Sequence, residues 1–569
     1  MAVPTRPVGS VSQRAIFVVL QCAILAGLLW ITATLLGMLL PRFVAPATVT
    51  VLIATICGFQ VLFQGLHLFR TLAMRRAVID GMPSPEGLRI AMATTIVPSR
   101  EFSLLEQKLA AMAAVSSNGC MLDHWVLDEE DDPRVRKLVA EFNQRYRDSG
   151  TRFFHFTRHG VARYNEAPKG RHFRTFQARQ KGGNINAWLD ATRSSRYDLV
   201  TFIDLDHFPE PDFYRAVLPC FGDPDVAFVQ GPEVFRNREE NFITRAASHE
   251  RDTFFGLLHR SYFGLGMPVI VGAHTTFRRT ALDALGGYYP VHLTEDYLIM
   301  LRLRALGLRG IYIDTVIAVG ELPSTWNAFL GQQRRWASGG LDLLFRYFPK
   351  QWRHYSNKER LFGFMLLNYY IWGTFFVLGK TLLLLMLLVG VTLEIGPVML
   401  AGLVAFILAA LMGNHLWERQ FFIQPERRTH LVENAVMNLF LGPLYCLSLF
   451  RALIAPNTPF EVTAKNRGEQ QAGGRFSFRW QCTALLCVEA LLFILAWLVS
   501  GGATEGKVNL VQVPLLLSLF GTLYVLANYR RHEASPAGHG QGTSADDNAK
   551  AQVLHNEFYP PSEPERGLL

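Results

Sequence analysis

Two acidic clusters in this sequence lie beside patterns typical of regular secondary structure. Asp204 and Asp206 come directly after an apolar strand pattern, and Asp296 ends the triplet Thr294-Glu295-Asp296 before a helical pattern. Carboxylates at alternate positions, with His207 beside them, can hold Mg²⁺ or Mn²⁺ against the oxygens of a diphosphate. A separate carboxylate can take the proton from an attacking hydroxyl. These residue types suit the transfer of a sugar from a nucleoside diphosphate.

Each cluster also has an ordinary structural interpretation, and a third motif helps to decide between them. The first cluster could be a solvated turn, and Thr294 or Asp296 could cap a helix. The third motif, Gln332-Gln333-Arg334-Arg335-Trp336, supplies an aromatic face for a pyranose ring and a guanidinium for a diphosphate. A tryptophan beside arginines could instead anchor a membrane interface. The spacing of Gln332 and Arg335 places them on one helix face, which favours a binding site.

The composition indicates a membrane protein with a large soluble part. The 569 residues are 50% hydrophobic, and the mean hydropathy of +0.16 is high for a wholly soluble chain. The net charge of +9 fits positive loops beside membrane spans better than a nucleic-acid partner, because no basic-aromatic reading motif is present. The seven cysteines have neither metal-site spacing nor a disulfide pattern.

Apolar runs predict about six transmembrane spans. They cover residues 15–40, 44–69, 370–392, 397–416, 482–500 and 510–528. Lys380 leaves the start of the third span uncertain, and the interrupted amphipathic segment 430–453 is interpreted as an interfacial helix. Arginine and lysine cluster on one side of these spans, which places both termini and residues 71–356 in the cytosol.

Short apolar runs alternate with helical patterns in the soluble part, which predicts an α/β domain with a mostly parallel sheet. Asp128 and Asp204 end two of these runs, and ligands of such sheets collect at the carboxyl ends of strands. The predicted organisation is an N-terminal membrane pair (1–70), the cytosolic domain (71–356), interfacial helices with a second membrane pair and a loop (357–478), a third membrane pair (479–530) and a disordered tail (531–569).

The sequence resembles the processive family-two glycosyltransferases of the cellulose synthase type. The resemblance runs from about residue 90 to residue 465. It is carried by Asp128, Lys181-Gly182-Gly183-Asn184-Ile185-Asn186-Ala187, Asp204-Leu205-Asp206-His207, Thr294-Glu295-Asp296, Gln332-Gln333-Arg334-Arg335-Trp336 and Phe460-Glu461-Val462-Thr463-Ala464-Lys465.

This resemblance implies a GT-A-like fold and an inverting enzyme that builds a β-linked polymer from a UDP-sugar with Mg²⁺ or Mn²⁺. It also implies the roles of individual residues. The donor would be bound by Asp128, Lys181, Asp204, Asp206, Gln332 and Arg335 under a gating loop with Phe460, Val462, Thr463 and Lys465; the metal by Asp204, Asp206 and His207; the acceptor by Trp336 and Glu295; and Asp296 would be the general base.

Two departures from cellulose synthases concern the acceptor region. Val269-Ile270-Val271-Gly272-Ala273-His274 stands where they have Phe-Cys-Gly, and Gly231-Pro232-Glu233-Val234-Phe235 replaces a Thr-Pro-His-Phe-Phe-like stretch. The product therefore stays open among cellulose, mixed-linkage glucan, curdlan and another β-glycan, with UDP-glucose as the preferred donor. We also expect no cyclic-dinucleotide-binding PilZ domain after the last span.

The leading hypothesis is a processive synthase of the bacterial plasma membrane that also translocates its polymer through the bilayer. Accessory export proteins are possible partners. The alternatives are a non-processive transferase that acts on a lipid-linked acceptor and, remotely, a polysaccharide transporter without catalysis. If enzyme and exporter are one chain, we expect the path to pass Trp336 and the segment 368–372, although helix packing would explain those residues equally well.

Overall fold

The structure is a computed structural model, and it divides into two compact units, Met1–Thr522 and Leu523–Leu569. Of the second unit it describes the end of the helix Gln512–Glu533. The described residues are 3–39, 46–159, 161, 181–288, 294–388, 394–454, scattered positions between 484 and 498, 508–509 and 512–533.

A seven-stranded sheet forms the centre of the soluble domain. Its strands are β1 (Arg89–Ile96), β2 (Met121–Asp128), β3 (Arg152–Thr157), β4 (Leu199–Asp204), β5 (Val226–Gln230), β6 (His274–Arg278) and β7 (Arg309–Tyr312). Their order is β7-β5-β6-β4-β1-β2-β3. All neighbours are parallel except β6, which runs antiparallel to both β4 and β5. The predicted mostly parallel α/β sheet is confirmed.

The register of the sheet brings two predicted site residues to one edge. Asp128 pairs with Ile96, and Asp204 pairs with the adjacent Thr95. Strands β1 and β4 are almost continuously apolar and buried, as expected for parallel strands covered on both faces. The aspartates therefore lie on either side of β1 at the carboxyl ends of the strands.

Helices and smaller sheets complete the soluble domain. The longer helices are Leu105–Ala113, Pro133–Arg145, Lys181–Ala191, Phe242–Thr253, Glu295–Ala305 and Trp326–Asp342; the shorter ones are Pro98–Glu101, Phe213–Val217, His259–Gly264 and Arg279–Leu285. A three-stranded sheet consists of Phe208–Pro209, Ala318–Gly320 and Val234–Phe235. Two further pairs involve strands next to the apolar helices: Thr5–Pro7 pairs with Arg75–Ala77, and Glu394–Ile395 pairs with Val508–Asn509.

Side-chain caps fix where several of these helices begin. The Asp132 side chain accepts the backbone N–H of Arg134 at 2.8 Å. Asn241 and Thr244 form a reciprocal capping box at the start of Phe242–Thr253. Because each cap satisfies backbone donors that have no partner within the helix, these starts follow directly from the local sequence.

Long apolar helices lie outside this domain. Among the described residues they are Val11–Leu39, Pro46–Ala73, Asn357–Leu388, Pro397–Arg419, Leu431–Ile454 and Gln512–Glu533. Within the same residues, four segments are long and apolar enough to cross a membrane, namely Val11–Thr34, Asn357–Leu382, Pro397–Arg419 and Leu431–Ile454. This count is lower than the expected six, and most of the predicted span 482–500 lies outside the described residues.

The start of the third span differs from the prediction. Its helix begins at Asn357 rather than near residue 370, because Glu359 in the first turn is buried: Arg304 pairs with Glu359, which also accepts the backbone N–H of Ser356 at 2.6 Å. Lys380 is accommodated by donating to the Ser518 hydroxyl.

The segment expected to be an interfacial helix is one continuous helix, Leu431–Ile454, with Pro443 inside it. It packs against Asn357–Leu388 at a close approach, where a Cβ on Gly373 would lie 2.5 Å from the carbonyl oxygen of Gly442. Its length and composition make it a candidate membrane span, which differs from the interfacial helix that the sequence predicted.

Candidate active site

A buried lysine shapes the turn that carries the first acidic cluster. Lys108 is fully buried. Its ammonium donates to the carbonyl oxygens of Asp204, at 2.9 Å, and of His207. The backbone N–H of His207 also donates to the carbonyl oxygen of Asp204 at 3.0 Å. These bonds hold the chain so that the side chains of Asp204 and Asp206 project from a fixed turn.

The side chains of this turn can hold a divalent cation. One ligand atom each from Asp204, Asp206 and His207 lie within 4.8 Å of one another. The Nε2 side of His207 packs so closely on Gly320 that an added Cβ would collide with the imidazole, and its Nδ1 lies 3.3 Å from Asp206 Oδ1. The carboxylate oxygens of Asp204 and Asp206 match the ligand preferences of Mg²⁺ and Mn²⁺.

Positive groups of the chain already neutralise part of this cluster. The Lys181 ammonium pairs with Asp204 Oδ1. Burial lowers the pKa of His207, but its hydrogen bond to Asp206 and the negative charges of Asp206, Glu233 and Asp204 outweigh burial and raise that pKa overall. Cationic groups of the chain therefore lie beside the carboxylates of Asp204 and Asp206.

One backbone segment joins the first acidic cluster to the second. The Gly272 carbonyl accepts a hydrogen bond from Lys181 Nζ at 3.2 Å. A Cβ added to Gly272 would lie 3.4 Å from Asp296 Oδ2, and the residue has φ of +74°, a conformation that favours glycine. The carbonyl of the next residue, Ala273, accepts the Asp204 N–H at 2.7 Å. Residues 269–274 thus lie between Asp204 and Asp296 in a single site.

The helix Glu295–Ala305 presents the second cluster. Thr294 occupies the N-cap position without a capping hydrogen bond from its side chain, whereas Asp296 Oδ1 accepts the N–H of Tyr297 at 2.9 Å. The capping alternative therefore applies to Asp296 in part and not to Thr294.

Burial and mutual repulsion govern the charge of the two carboxyls. Burial raises the pKa of Glu295. Burial also raises the pKa of Asp296, and the neighbouring Glu295 raises it further. Arg335 and Lys181 oppose these shifts for both groups. A carboxyl with a raised pKa beside two cations is suited to accept a proton from a hydroxyl.

The third motif lies on the helix Trp326–Asp342, next to the second cluster. A Cβ on Gly339 would lie 2.6 Å from Thr294 Cγ2, so the helix backbone at Gly339 packs directly on the Thr294 side chain. Trp336 is half-buried and Gln332 lies on the same helix. The structure therefore brings Asp204, Asp206, His207, Lys181, Glu295, Asp296, Arg335 and Trp336 into one region.

A comparison with protein families identifies this region. Residues 199–414 match the model described as glycosyl transferase family group 2. This stretch is a family-two glycosyltransferase domain. Its cellulose-synthase type is supported by the UDP-forming cellulose synthase catalytic subunit of Dictyostelium discoideum, which is 31% identical over 167 residues. That match covers 29% of this chain and 16% of the Dictyostelium protein.

Two solved structures share less sequence with this chain than the Dictyostelium protein does. A mannosyltransferase of Pyrobaculum calidifontis in complex with GDP-mannose and Mn²⁺ is 18% identical, with a TM-score of 0.43, and covers 69% of this chain and 98% of its own. The mannosyl-3-phosphoglycerate synthase of Rubrobacter xylanophilus is 16% identical, with a TM-score of 0.28, and covers 42% and 68%.

Asp128, which is predicted to bind the donor, is fully buried. Its carboxylate accepts the backbone N–H groups of Glu130, Asp131 and Asp132 at 2.9, 3.1 and 2.7 Å, and lies 3.1 Å from His155 Nε2. Asp128 thus shapes the loop after β2. Its contact with a nucleotide stays a prediction, and the predicted gating residues Phe460, Val462, Thr463 and Lys465 lie outside the described residues.

Sequence reasoning missed several residues of the candidate site. Lys108 gave one signal, since it interrupts the apolar helix face of Leu105, Leu109 and Met112. Glu250 and Arg251 gave none, because they belong to no motif. Their contacts with the motif helix Trp326–Asp342 arise from the tertiary fold.

Proposed function

We propose that this chain is an inverting, processive glycosyltransferase that polymerises a β-linked polysaccharide from a UDP-sugar. UDP-glucose is the first donor to test, and a β-glucan is the first product. The proposal extends the family-two domain to a whole-protein activity. One observation carries it: a single backbone segment around Gly272 lies between the acidic cluster at Asp204, which would face the donor diphosphate, and the carboxyl of Asp296.

This arrangement suits one displacement step. The oxygen of the acceptor hydroxyl forms a bond to the anomeric carbon of the donor, and the bond from that carbon to the phosphate oxygen breaks. Asp296 receives the hydroxyl proton, and the electron pair of the broken bond leaves with UDP. Attack opposite the leaving group converts an α-linked donor into a β-linked product.

The remaining side chains bind and orient the reactants. Lys181 is the first residue of the helix Lys181–Ala191 and pairs with Asp204. Its ammonium could therefore exchange Asp204 for the diphosphate of a bound donor. Arg335 lies close enough to Glu295 and Asp296 to affect their charge and can donate to the departing diphosphate. A divalent cation held by Asp204, Asp206 and His207 supplies further charge neutralisation of that diphosphate.

Packing of the motif helix supports polymer movement into the membrane region. The next residue after Gly339, Gly340, approaches Tyr370 so closely that a Cβ would lie 2.8 Å from its ring. Tyr370 belongs to the candidate span Asn357–Leu382. We propose that the catalytic domain lies on the cytosolic side of a bacterial plasma membrane and that the polymer leaves past Trp336 between the apolar helices.

The test uses the purified full-length protein in lipid vesicles with the catalytic domain outward. The vesicles are incubated with Mn²⁺ or Mg²⁺ and with one donor at a time: UDP-glucose, UDP-N-acetylglucosamine or GDP-mannose. We expect UDP release and a long product that glycanase added outside cannot fully digest. Products extended by one sugar would support a non-processive transferase. Absence of nucleoside diphosphate release with every donor would refute the proposal.

A further inference from the structure

The helix Phe242–Thr253 places two consecutive charged residues against the motif helix. The guanidinium carbon of Arg251 lies 4.0 Å from the ring centroid of Trp336. Glu250 Oε2 accepts a hydrogen bond from Gln333 Nε2 at 2.7 Å. Gln333 and Trp336 are three residues apart, so they share the helix face that meets this pair.

Arg251 is held over the indole in a largely dry environment. Its Nη1 lies 4.0 Å from Glu233 Oε2, and the two side chains are 12% and 8% exposed. Removal of water strengthens the attraction between a guanidinium and an aromatic face. The cation therefore fixes the plane of the Trp336 ring. Since Trp336 is only half-buried, part of the indole remains available to a sugar.

Glu250 and Gln333 connect this arrangement to two apolar helices. The Tyr369 hydroxyl donates to Glu250 Oε1 at 2.7 Å, and the Tyr445 hydroxyl donates to Gln333 Oε1 at 2.7 Å. Gln333 is 1% exposed, so these bonds are expensive to leave unmade. The orientation of the motif helix is consequently tied to Asn357–Leu388 and Leu431–Ile454.

We propose that Arg251 is a positioning residue for the acceptor: it sets the plane of Trp336 so that the terminal sugar stacks on the exposed part of the indole, while Glu250 holds the same helix through Gln333. The inference rests on the proposed function. It adds a residue outside the recognised motifs, and one whose partner Glu233 belongs to the departure segment 231–235.

The experiment measures donor and acceptor KM separately with the full-length protein, UDP-glucose and cellopentaose. We expect Arg251→Met to raise the acceptor KM about 2- to 30-fold, the range of one cation–π contact, and to leave the donor KM within about twofold. Arg251→Lys should give an intermediate acceptor KM, since an ammonium keeps the charge without the planar stacking. The matched control is Arg245→Met, on the same helix, whose Nε lies 3.3 Å from Glu433 instead.

A background with Trp336→Ala tests the mechanism directly, because Arg251→Met should have no further effect on acceptor KM there. An unchanged acceptor KM in Arg251→Met, or equal rises in donor and acceptor KM with a lower Tm, would overturn the inference. If Arg251→Met does not fold, Arg251→Lys decides by the same comparison. Wild-type protein that transfers no sugar from any donor would refute the proposed function and this inference together, whereas active wild type with indifferent Arg251 variants refutes the inference alone.

Discussion

Lys108→Met is the sharpest test of how the acidic turn is built. Methionine keeps the apolar stem but removes the ammonium that donates to the carbonyl oxygens of Asp204 and His207. The Asp204 carbonyl keeps the His207 N–H as a donor, whereas the His207 carbonyl loses its lysine donor, and a buried carbonyl left without a partner costs about 1–3 kcal/mol. Removing a buried charge returns part of that cost, but the weaker bonding of the Asp204 carbonyl adds to it, so we expect a net loss of about 1–3 kcal/mol.

Two measurements follow from that number. A domain of this size loses roughly 2–4 °C in Tm per kcal/mol, so Tm should fall by roughly 2–12 °C. The turn also orients two carboxylates, and loss of such support typically weakens metal binding about 10-fold or more. We therefore expect half-maximal transfer to need about tenfold more Mn²⁺. The matched control is Lys137→Met, because the Lys137 side chain is 80% exposed. Lys108→Met with the Tm and Mn²⁺ requirement of Lys137→Met would refute the reasoning.

Three further predictions concern the second cluster. Asp296→Asn should lower the rate of UDP release about 10²- to 10⁴-fold while calorimetry shows unchanged UDP binding; near wild-type turnover would exclude Asp296 as the base. Burial and Glu295 raise the pKa of Asp296, so kcat/KM should fall as the pH drops through that raised pKa, and Glu295→Gln should move this acid limb to lower pH; an unmoved limb would contradict the coupling. Gly339→Ala, whose Cβ would lie 2.6 Å from Thr294 Cγ2, should lower the free energy of unfolding by about 1–3 kcal/mol in thermal unfolding. Adding Thr294→Ala should restore part of that stability, and an unchanged stability in Gly339→Ala would show that the approach is not tight.

The sequence was sufficient to predict the edge of the sheet where the site lies. Asp128 and Asp204 each end an apolar run, and parallel strands bring such ends together. The register of β1 with β2 and β4 confirms that placement. The pattern did not reveal the antiparallel strand β6, because Phe277 is the one apolar residue among its five and the strand therefore gives no apolar run.

Contacts between distant segments escaped sequence reasoning for a different reason. A lysine on an apolar helix face, such as Lys108, often extends its charged end to solvent, so its position alone does not distinguish a buried ammonium. Hydropathy also misplaced the start of Asn357–Leu388, because it scores Glu359 as exposed, whereas that side chain is 4% exposed and pairs with Arg304. In both cases a partner far along the chain determines the outcome.

Gly339 and Gly340 show how such contacts join chemistry to the membrane region. A Cβ on Gly339 would clash with Thr294, and a Cβ on Gly340 would lie 2.8 Å from the ring of Tyr370. These consecutive residues therefore let the helix of Trp336 touch the acidic triplet on one side and a candidate span on the other. Because well-packed backbones transmit displacement with little compression, a movement of that span would shift Trp336 relative to Asp296. Two small residues with no chemistry of their own thus join the acidic triplet to a candidate span through one helix.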